Sequence, residues 1–519
     1  MPNTDGADDS NNKKSKNQAD SASDLEEAPR MKRVVGIWNS FAIGYADVGA
    51  DIYVAVGLIV ALALQASPFA FLFAAVTYVT TGLAYAELAS TYPIAGGAQY
   101  YSLKAFGNFH GFIAGWGLML DYTIDVALFA LVASNYFGSF FNLTFATSFL
   151  TKSFLPSLLA IVFILVLVLL NVVGIKYSAN FNLAVVLINL VTMVVILAIG
   201  LPLMISNGLL QQWISSLTQF GTQPTVPNFV NAASLAMVSY IGIESISQAA
   251  EETKFPKKVI PTAVKFTIIS VVLLSVLLSL LTVTLLPSST YLARQNDEFV
   301  ALAQHLPYLT AIFAFWVAFV GFAICYVSTN TGVIGVSRVT FSMARLKLLP
   351  SKLSRLSRRF LTPYITITLF PGIAIAVLLV ITIIAQSAAE VLQAVAQLYN
   401  FGALIAYMYV NLSLIVLRVK DPTPRAWKLR GAFHISRNGR KYEIPFVPII
   451  GFISCLAVWL IVVGFHSLGR DLGVLWFAIG IVFFIAYRKR IGLPVFRSPK
   501  EPRNAASAAA DTGDKNDQP

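Results

Sequence analysis

The feature that most constrains this chain is a series of twelve long apolar segments. Each has roughly the 20 mainly apolar residues that a helix needs to cross the hydrocarbon of a bilayer. They lie at about 36–64, 67–91, 111–140, 156–174, 182–205, 229–249, 264–286, 309–337, 364–386, 391–417, 446–467 and 472–487. Only 12% of the residues are charged, against about 25% in soluble domains. We therefore predict an all-α polytopic membrane protein with about 12 transmembrane helices, spans 1 to 12, in a lipid bilayer.

Lysine and arginine concentrate in alternate connections between the spans. The richest are the linkers at about 338–362 and 418–444 and the end of span 12 at 488–490. The connections on the other side contain only Lys152, Arg294 and Arg470. Because cytoplasmic loops carry the excess of basic residues, we predict a plasma-membrane protein with both termini in the cytoplasm. The net charge of +12 then reflects membrane topology, and no nucleic-acid partner is expected.

Two polar tails flank the apolar region. Residues 1–33 and 491–519 lack apolar runs, so we predict disordered cytoplasmic tails around one transmembrane domain at 34–490. Cys325 and Cys455 lie in apolar segments, and the histidines show no metal-ligand spacing. No connection is long enough for a catalytic domain, and no catalytic cluster is present. We predict no enzyme activity, no metal and no cofactor.

Residues 44–53 of span 1 are unusual for a membrane helix. They include Asp47 and Asp51 beside Gly44 and Gly49. A charge at bilayer depth costs at least ~2.5–3.5 kcal/mol. Glycines beside an ionisable residue let a helix break and turn free amides and carbonyls toward a cavity. We therefore predict a broken helix that forms half of a substrate site.

Residues 239–245 of span 6 have the same character. Here Gly242 and Glu244 lie in the middle of an apolar segment, five spans after the first interruption. Interrupted helices at corresponding positions indicate an inverted-repeat transporter. The alternative is that Gly242 only allows close helix packing. We predict repeats at about 36–205 and 229–417 and two additional helices at about 446–487.

Four motifs near the ends of the spans make the interpretation more specific. They are Tyr85-Ala86-Glu87-Leu88 with Tyr92-Pro93-Ile94-Ala95-Gly96-Gly97; Gly115-Trp116 with Leu120-Asp121-Tyr122; Glu251-Glu252 with Pro256 and Ile260-Pro261; and Ser337-Arg338 with Ala344-Arg345 and Leu349-Pro350. In type and order they resemble the amino acid–polyamine–organocation transporter superfamily over roughly residues 36–470. The resemblance implies ten helices in two inverted repeats plus two more, alternating access, and a substrate between broken spans 1 and 6. It also implies amino acids or amines as substrates, often coupled to protons.

The first-span motif of that superfamily, I-G-S-G-I-F, corresponds to residues 48–53 here. In the family, free amides at this break bind the substrate carboxylate, as a helix N-terminus does. Asp51 stands where the family has a glycine. It either faces the cavity and favours a cationic substrate, or turns away and caps the broken backbone. The predicted substrate-binding residues are Asp47, Val48, Gly49, Ala50, Asp51, Tyr53, Tyr240, Gly242 and Glu244.

Coupling requires groups that bind a proton or a cation inside the membrane. Asp121 and Asp125 are one helical turn apart on one face, where two buried carboxylates do not both ionise cheaply. The predicted coupling residues are Asp47, Asp121, Asp125, Ser328 and Thr329. The two hydroxyl residues correspond to a sodium site of some relatives, and Asn189 lies near the place where others have a lysine. Glu87, through an Arg or Lys partner, and Tyr399 are predicted to act in gating.

Together these features predict a secondary active transporter for an amino acid or amine, with H+ favoured over Na+ as the coupling ion. The first alternative is a potassium uptake permease, because Asp47 and Tyr53 partly match the G-D-I-G-x-S-P-x-Y motif of those proteins. A second alternative is a membrane sensor that binds a ligand without transporting it. A channel is less favoured, since no regular pore-lining repeat is present.

Overall fold

Long apolar helices dominate the architecture. The computed structural model describes residues 33–94, 96–141, 149–174, 179–307, 310–357, 359–360, 362–385, 387–421, 423–437, 440–465 and 467–496. Eleven stretches of this described part are long and apolar enough to cross a membrane. The first of them, Ile37–Thr91, has 55 residues and contains two helices. The polytopic helical fold predicted from the apolar segments is confirmed.

The described residues form seventeen α-helices and one hairpin. The helices are α1 (Ile37–Ala63), α2 (Ser67–Thr91), α3 (Ala98–Phe106), α4 (Asn108–Phe140), α5 (Phe149–Val173), α6 (Ala179–Ser206), α7 (Leu209–Ser216), α8 (Val226–Leu235), α9 (Glu244–Gln248), α10 (Pro256–Leu285), α11 (Ser288–Ala293), α12 (Glu298–His305), α13 (Thr310–Arg345), α14 (Tyr364–Ile384), α15 (Ala388–Lys420), α16 (Val447–Phe465) and α17 (Ser467–Arg490). Antiparallel strands β1 (Ala432–Arg437) and β2 (Arg440–Pro445) follow α15.

The core surrounds α1 and α4. The most apolar part of α4 is buried throughout, and α4 packs mainly against α13 and α15. Outer helices such as α5, α16 and α17 bury much less of their apolar surface. Exposed side chains such as Leu169 and Val482 suit a lipid environment, where apolar surface needs no protein cover. Buried carboxyl groups therefore lie on the inner helices, away from the lipid-facing surface.

Span 6 is interrupted where the sequence predicts it. Helix α8 ends at Leu235, a 3-10 segment follows from Ala236 to Tyr240, and α9 begins at Glu244. Gly242 lies between them with φ +119°, a conformation that favours glycine. The break therefore depends on this single residue.

Span 1 is not interrupted, so the prediction of a broken first helix is wrong. Helix α1 runs without a gap from Ile37 to Ala63 through residues 44–53. Its glycines serve packing: a Cβ atom on Gly44 would lie 2.5 Å from the Ile246 side chain, and one on Gly49 would lie 2.5 Å from the Tyr45 ring. Neither glycine has positive φ, so the backbone continues as a helix.

Backbone hydrogen bonds join the residues just before α1 to the segment that follows α9. Val34 and Val35 donate backbone hydrogen bonds to the Glu252 carbonyl at 2.9 and 3.0 Å, and Lys254 donates to the Val35 carbonyl at 2.9 Å. This short bridge ties the start of α1 to the segment that follows α9. The predicted disordered tails lie outside the described residues, except for residue 33 and residues 491–496.

Candidate functional site

The break in span 6 is held directly against α1. A Cβ atom on Gly242 would lie 2.6 Å from Cβ of Asp47 and 3.0 Å from the Val48 side chain. The backbone amide of Gly242 instead donates to Oε2 of Glu244 at 3.2 Å and to the Tyr407 hydroxyl at 3.3 Å. The interruption thus brings the carboxyl groups of spans 1 and 6 to the same level.

Asp47 lies where three spans meet. Its Oδ2 accepts a hydrogen bond from Ser245 Oγ at 2.8 Å, and its Oδ1 accepts one from Ser328 Oγ at 3.2 Å. The carboxyl group is buried. Tyr122 of α4 extends the network through its hydroxyl, 3.0 Å from Ser245 Oγ. A group that binds Asp47 must therefore replace or join hydroxyl donors from α9 and α13.

Glu244 and Asp121 form a second carboxyl centre. Tyr407 of α15 donates to Glu244 Oε2 at 2.7 Å. The Asp121 carboxyl is a close neighbour of Glu244, and neither Asp121 oxygen accepts a hydrogen bond from the described residues. Two carboxylates accept only, so a hydrogen bond between them requires that one carries a proton. The geometry suits a shared proton.

Two further carboxyl groups lie nearby without donors. Both oxygens of Asp51 and of Asp125 are buried and accept no hydrogen bond from the described residues. Asp125 faces α13 closely, since a Cβ atom on Gly332 would lie 2.4 Å from its Oδ2. Because α1 is continuous, Asp51 has no broken backbone to cap. Unpartnered buried carboxyls are costly unless they are protonated or face a cation.

No basic side chain of the described residues balances this carboxyl cluster. The cluster comprises Asp47, Asp51, Asp121, Asp125 and Glu244. The ion pairs of the described part of the chain all involve other acids. Five carboxyls in a low-dielectric interior cannot all be ionised without counter-charge. The cluster therefore holds protons, a bound cation, or both.

Several predicted site residues point elsewhere. The Tyr53 hydroxyl donates to Asn189 Oδ1 at 2.7 Å, and the Tyr240 hydroxyl lies 2.8 Å from Ser275 Oγ. Thr329 donates to its own helix at the Cys325 carbonyl, 2.9 Å away.

The predicted backbone groups of span 1 and the predicted gating residue Tyr399 also lie outside the network. The amides of Val48, Gly49 and Ala50 lie inside continuous α1, so they are not free to bind a carboxylate as the resemblance implied. The ring of Tyr399 is buried and packs edge-on at 6.3 Å from Phe129.

Sequence reasoning missed the hydroxyl donors of the network. Ser245 and Tyr407 contact the acids directly, and Tyr122 is linked to Asp47 through Ser245. Ser245 adjoins Glu244 within residues 239–245. Its role as a donor could have been predicted, since a buried carboxylate needs a donor. Tyr407 is one of 20 tyrosines, and nothing in its local sequence distinguishes it.

Glu87, near the end of α2, forms a separate centre of ion pairs. Arg418 Nε donates to its Oε1 at 2.8 Å, and Arg418 Nη2 contacts its Oε2 at 2.5 Å. The backbone amide of Leu429 donates to the same Oε2 at 2.8 Å, and Arg425 Nε lies 3.5 Å from Oε1. Glu87 therefore joins α2 to the end of α15 and to the chain that follows it.

Replacing Gly242 with alanine is expected to weaken both the fold and the transport activity that the resemblance implies. The positive φ alone costs ~1–3 kcal/mol for a residue with a side chain, and the new Cβ would push the break away from Asp47. We expect a lower melting temperature in detergent and slower uptake. Gly372→Ala is the control, because nothing lies within 4 Å of its Cβ position. Equal melting temperatures and uptake rates for the two variants would contradict the assigned role of Gly242.

Comparisons with known proteins agree with this architecture. The family model for amino acid permeases matches residues 35–486. The chain is 27% identical to the branched-chain amino acid permease BcaP of Bacillus subtilis, with 89% of this chain and 94% of the relative covered. It is 26% identical to the low-affinity putrescine importer PlaP of Escherichia coli, with 82% and 87% covered. A manganese transporter of Eremococcus coleocola has a similar fold, with a TM-score of 0.52 at 13% identity over 88% of this chain and 92% of that one. Because the family model spans most of the sequence and the curated relatives are membrane transporters, this chain belongs to the amino acid permease family.

Proposed function

We propose that this protein is a secondary active transporter that carries an amine or a cationic amino acid across the plasma membrane by alternating access, coupled to protons. The observation that carries the proposal is the cluster of five buried carboxyl groups without a basic partner among the described residues. The substrate would lie between α1 and the break in span 6.

A cationic substrate supplies the charge that the cluster lacks. An ammonium group that binds Asp47 can donate to both carboxylate oxygens, which now accept from Ser245 and Ser328. A charged amine in a membrane interior binds stably only beside such acceptors. Among the relatives, the putrescine importer fits this chemistry better than the branched-chain amino acid permease. The continuous helix α1, which offers no free amides to a substrate carboxylate, favours the amine further.

The same groups support proton coupling. A proton shared by Asp121 and Glu244 keeps that pair near a single negative charge while the site is empty. When an ammonium group arrives, the pair can release the proton or retain it, which links proton movement to substrate movement. Sodium has less support, since the Thr329 hydroxyl bonds to its own helix.

The membrane orientation is part of the proposal. Lys254 bonds to the backbone just before α1, and Arg338 near the end of α13 pairs with Glu252. The side of the bundle where α1 begins therefore carries exposed Lys254, Lys257 and Lys258 and the linker after α13. By the positive-inside rule, that side and both termini would face the cytoplasm. The short helices α11 and α12 would face the outside.

Uptake into proteoliposomes tests the proposal. We expect labelled putrescine or arginine to accumulate under an inward proton gradient and to stop accumulating when a protonophore is added. Unlabelled valine should compete with the labelled substrate for uptake less strongly than unlabelled amine does. Rubidium flux without amine flux would instead support the potassium permease. Binding without flux under any gradient would support the sensor, and dependence on a sodium gradient would overturn proton coupling.

A further inference from the structure

The short helices between α10 and α13 pack against α1. We call residues 287–306 the capping segment. This segment seats against α1 at Gly57, where an added Cβ would lie 2.0 Å from the Gln295 carbonyl oxygen and 2.7 Å from Glu298 Oε2. Gly57 therefore forms a notch that only a residue without a side chain can provide. Phe299 fixes the same contact, with its ring edge-on to Tyr53 at 5.0 Å.

A carboxyl group is enclosed by this contact. Glu298 is 0% exposed, as are Phe299 and Ala301 after it. Neither Glu298 oxygen accepts a hydrogen bond of normal geometry from the described residues, although the Tyr136 hydroxyl and the Gly57 backbone approach it. A buried carboxylate in such a place is unfavourable, whereas a protonated carboxyl is tolerated.

The groups that face Glu298 do not neutralise it. Tyr53 of α1, Tyr136 of α4 and Cys325 of α13 are its titratable neighbours on the packed helices, and all three are neutral near pH 7. Within the capping segment, Arg294 pairs with Asp297, and Asp297 also accepts from Ser139 at 2.6 Å. The nearby arginine is therefore already engaged by another acid.

We propose that Glu298 is a second proton-binding residue of the transport cycle, protonated when the capping segment is seated in the Gly57 notch and deprotonated when the segment leaves. This inference rests on the proposed function only in that the capping segment must leave its seat during alternating access. Glu298 is distinct from the carboxyl cluster, because it belongs to a connection between spans and contacts none of the Asp47 hydroxyl donors.

The sign of the pH effect follows from burial. Enclosure in the notch raises the pKa of the Glu298 carboxyl well above its usual range. The seated state therefore binds the proton more tightly than the open state does. Raising the pH removes the proton and favours release of the segment, while lowering the pH favours closure. A single linked proton changes the closure equilibrium by at most about tenfold per pH unit.

A buried reporter cysteine measures the closure without any substrate. Ala301 is fully buried in α12, so Ala301→Cys becomes reactive only when the segment lifts. Native Cys325 and Cys455 are first replaced by alanine. In the full chain in proteoliposomes, we expect the labelling rate by a membrane-impermeant maleimide, corrected for the intrinsic pH dependence of thiol reactivity, to rise several-fold between pH 6 and pH 8. Glu298→Gln should label slowly at both pH values, and Glu298→Asp should restore the pH dependence.

Two outcomes would overturn the inference. One is a Glu298→Gln variant with the same corrected pH dependence as the parent, and the other is faster labelling of that variant at low pH. If Glu298→Gln does not fold, Gly57→Ala provides the second variant, since its side chain would lift the segment and should abolish the pH dependence while raising the labelling rate. Slow, pH-dependent labelling of Gly57→Ala would also overturn it. Absence of amine uptake by the parent protein would refute the proposed function but leave this labelling result intact.

Discussion

Replacing Asp47 with asparagine is expected to reduce uptake at least ~100-fold, equivalent to ~3 kcal/mol, because removing one partner of a buried charge pair costs about that much. Asparagine retains the volume of the side chain, its carbonyl oxygen can still accept from one of the two serines, and its amide nitrogen can donate to the hydroxyl oxygen of the other. It cannot become negative when an ammonium group arrives. We therefore expect normal insertion and a nearly unchanged melting temperature, with uptake close to that of empty liposomes.

The matched control for this variant is Asp471→Asn. It makes the same chemical change at a side chain that is 66% exposed and paired only with Arg470 among the described residues. The control should keep the uptake rate of the parent protein within about twofold, because exposed ion pairs contribute little. Parent-like transport by Asp47→Asn, measured with the same reconstituted amount, would remove Asp47 from the site.

The second large effect is expected on stability, at Arg418. Its side chain is 1% exposed and pairs with wholly buried Glu87. Arg418→Ala would leave the Glu87 carboxylate with the more distant Arg425 and one backbone amide. Breaking a buried pair by removing one partner costs about 3–5 kcal/mol. We expect a marked drop in the thermal unfolding temperature in detergent and a loss of folded protein.

Two further variants test whether the unpaired charge of Glu87 causes the loss of stability in Arg418→Ala. Changing both partners, as Glu87→Gln with Arg418→Gln, should recover part of the lost stability because the two new side chains are neutral and can still hydrogen-bond. The recovery is partial because Arg425 loses its carboxylate partner. Lys428→Ala breaks the partly exposed pair with Glu443 and should cost less than ~1 kcal/mol. If the double variant is less stable than Arg418→Ala, or Lys428→Ala is as damaging, the destabilisation does not arise from a stranded charge.

The spans were predictable because bilayer thickness sets the length of an apolar helix. The two glycine-containing segments of spans 1 and 6 differ in structure, although their sequences look alike. Gly242 has to adopt positive φ against Asp47, whereas Gly44 accommodates Ile246 within a regular helix. A glycine that breaks a helix and a glycine that admits a neighbour give the same local signal. Only the packing partner distinguishes them, and a single sequence does not show it.

The acids of the candidate site were predictable for a related reason. A carboxyl group in an apolar span is costly, so Asp47, Asp121 and Glu244 stand out without any structure. Hydroxyl residues do not stand out, because they can satisfy themselves on their own helix, as Thr329 does. Ser328, the preceding residue, instead reaches Asp47. The two residues are adjacent on α13 but point in different directions, and this difference decides which of them reaches Asp47.

The hairpin of β1 and β2 was also missed, although its sequence carries a signal. His434 pairs with Glu443 and Ile435 with Tyr442 in an antiparallel register. The residues between the strands, Asn438 and Gly439, are a dipeptide typical of two-residue hairpin turns; they lie outside the described part of the chain. Expecting a simple basic linker at about 418–444 hid this pattern.

The continuity of α1 has a mechanical consequence. A helix of 27 residues is a rod of about 40 Å, and it contacts another segment of the chain near each end. One end is joined to the backbone at Glu252 and Lys254, and the other receives the capping segment at Gly57. A rod that pivots near its middle by about 5° moves its two ends by about 2 Å in opposite directions. Under the proposed alternating access, loosening the contact at one end of α1 would tighten the contact at the other end, so this helix would couple the two ends of the bundle.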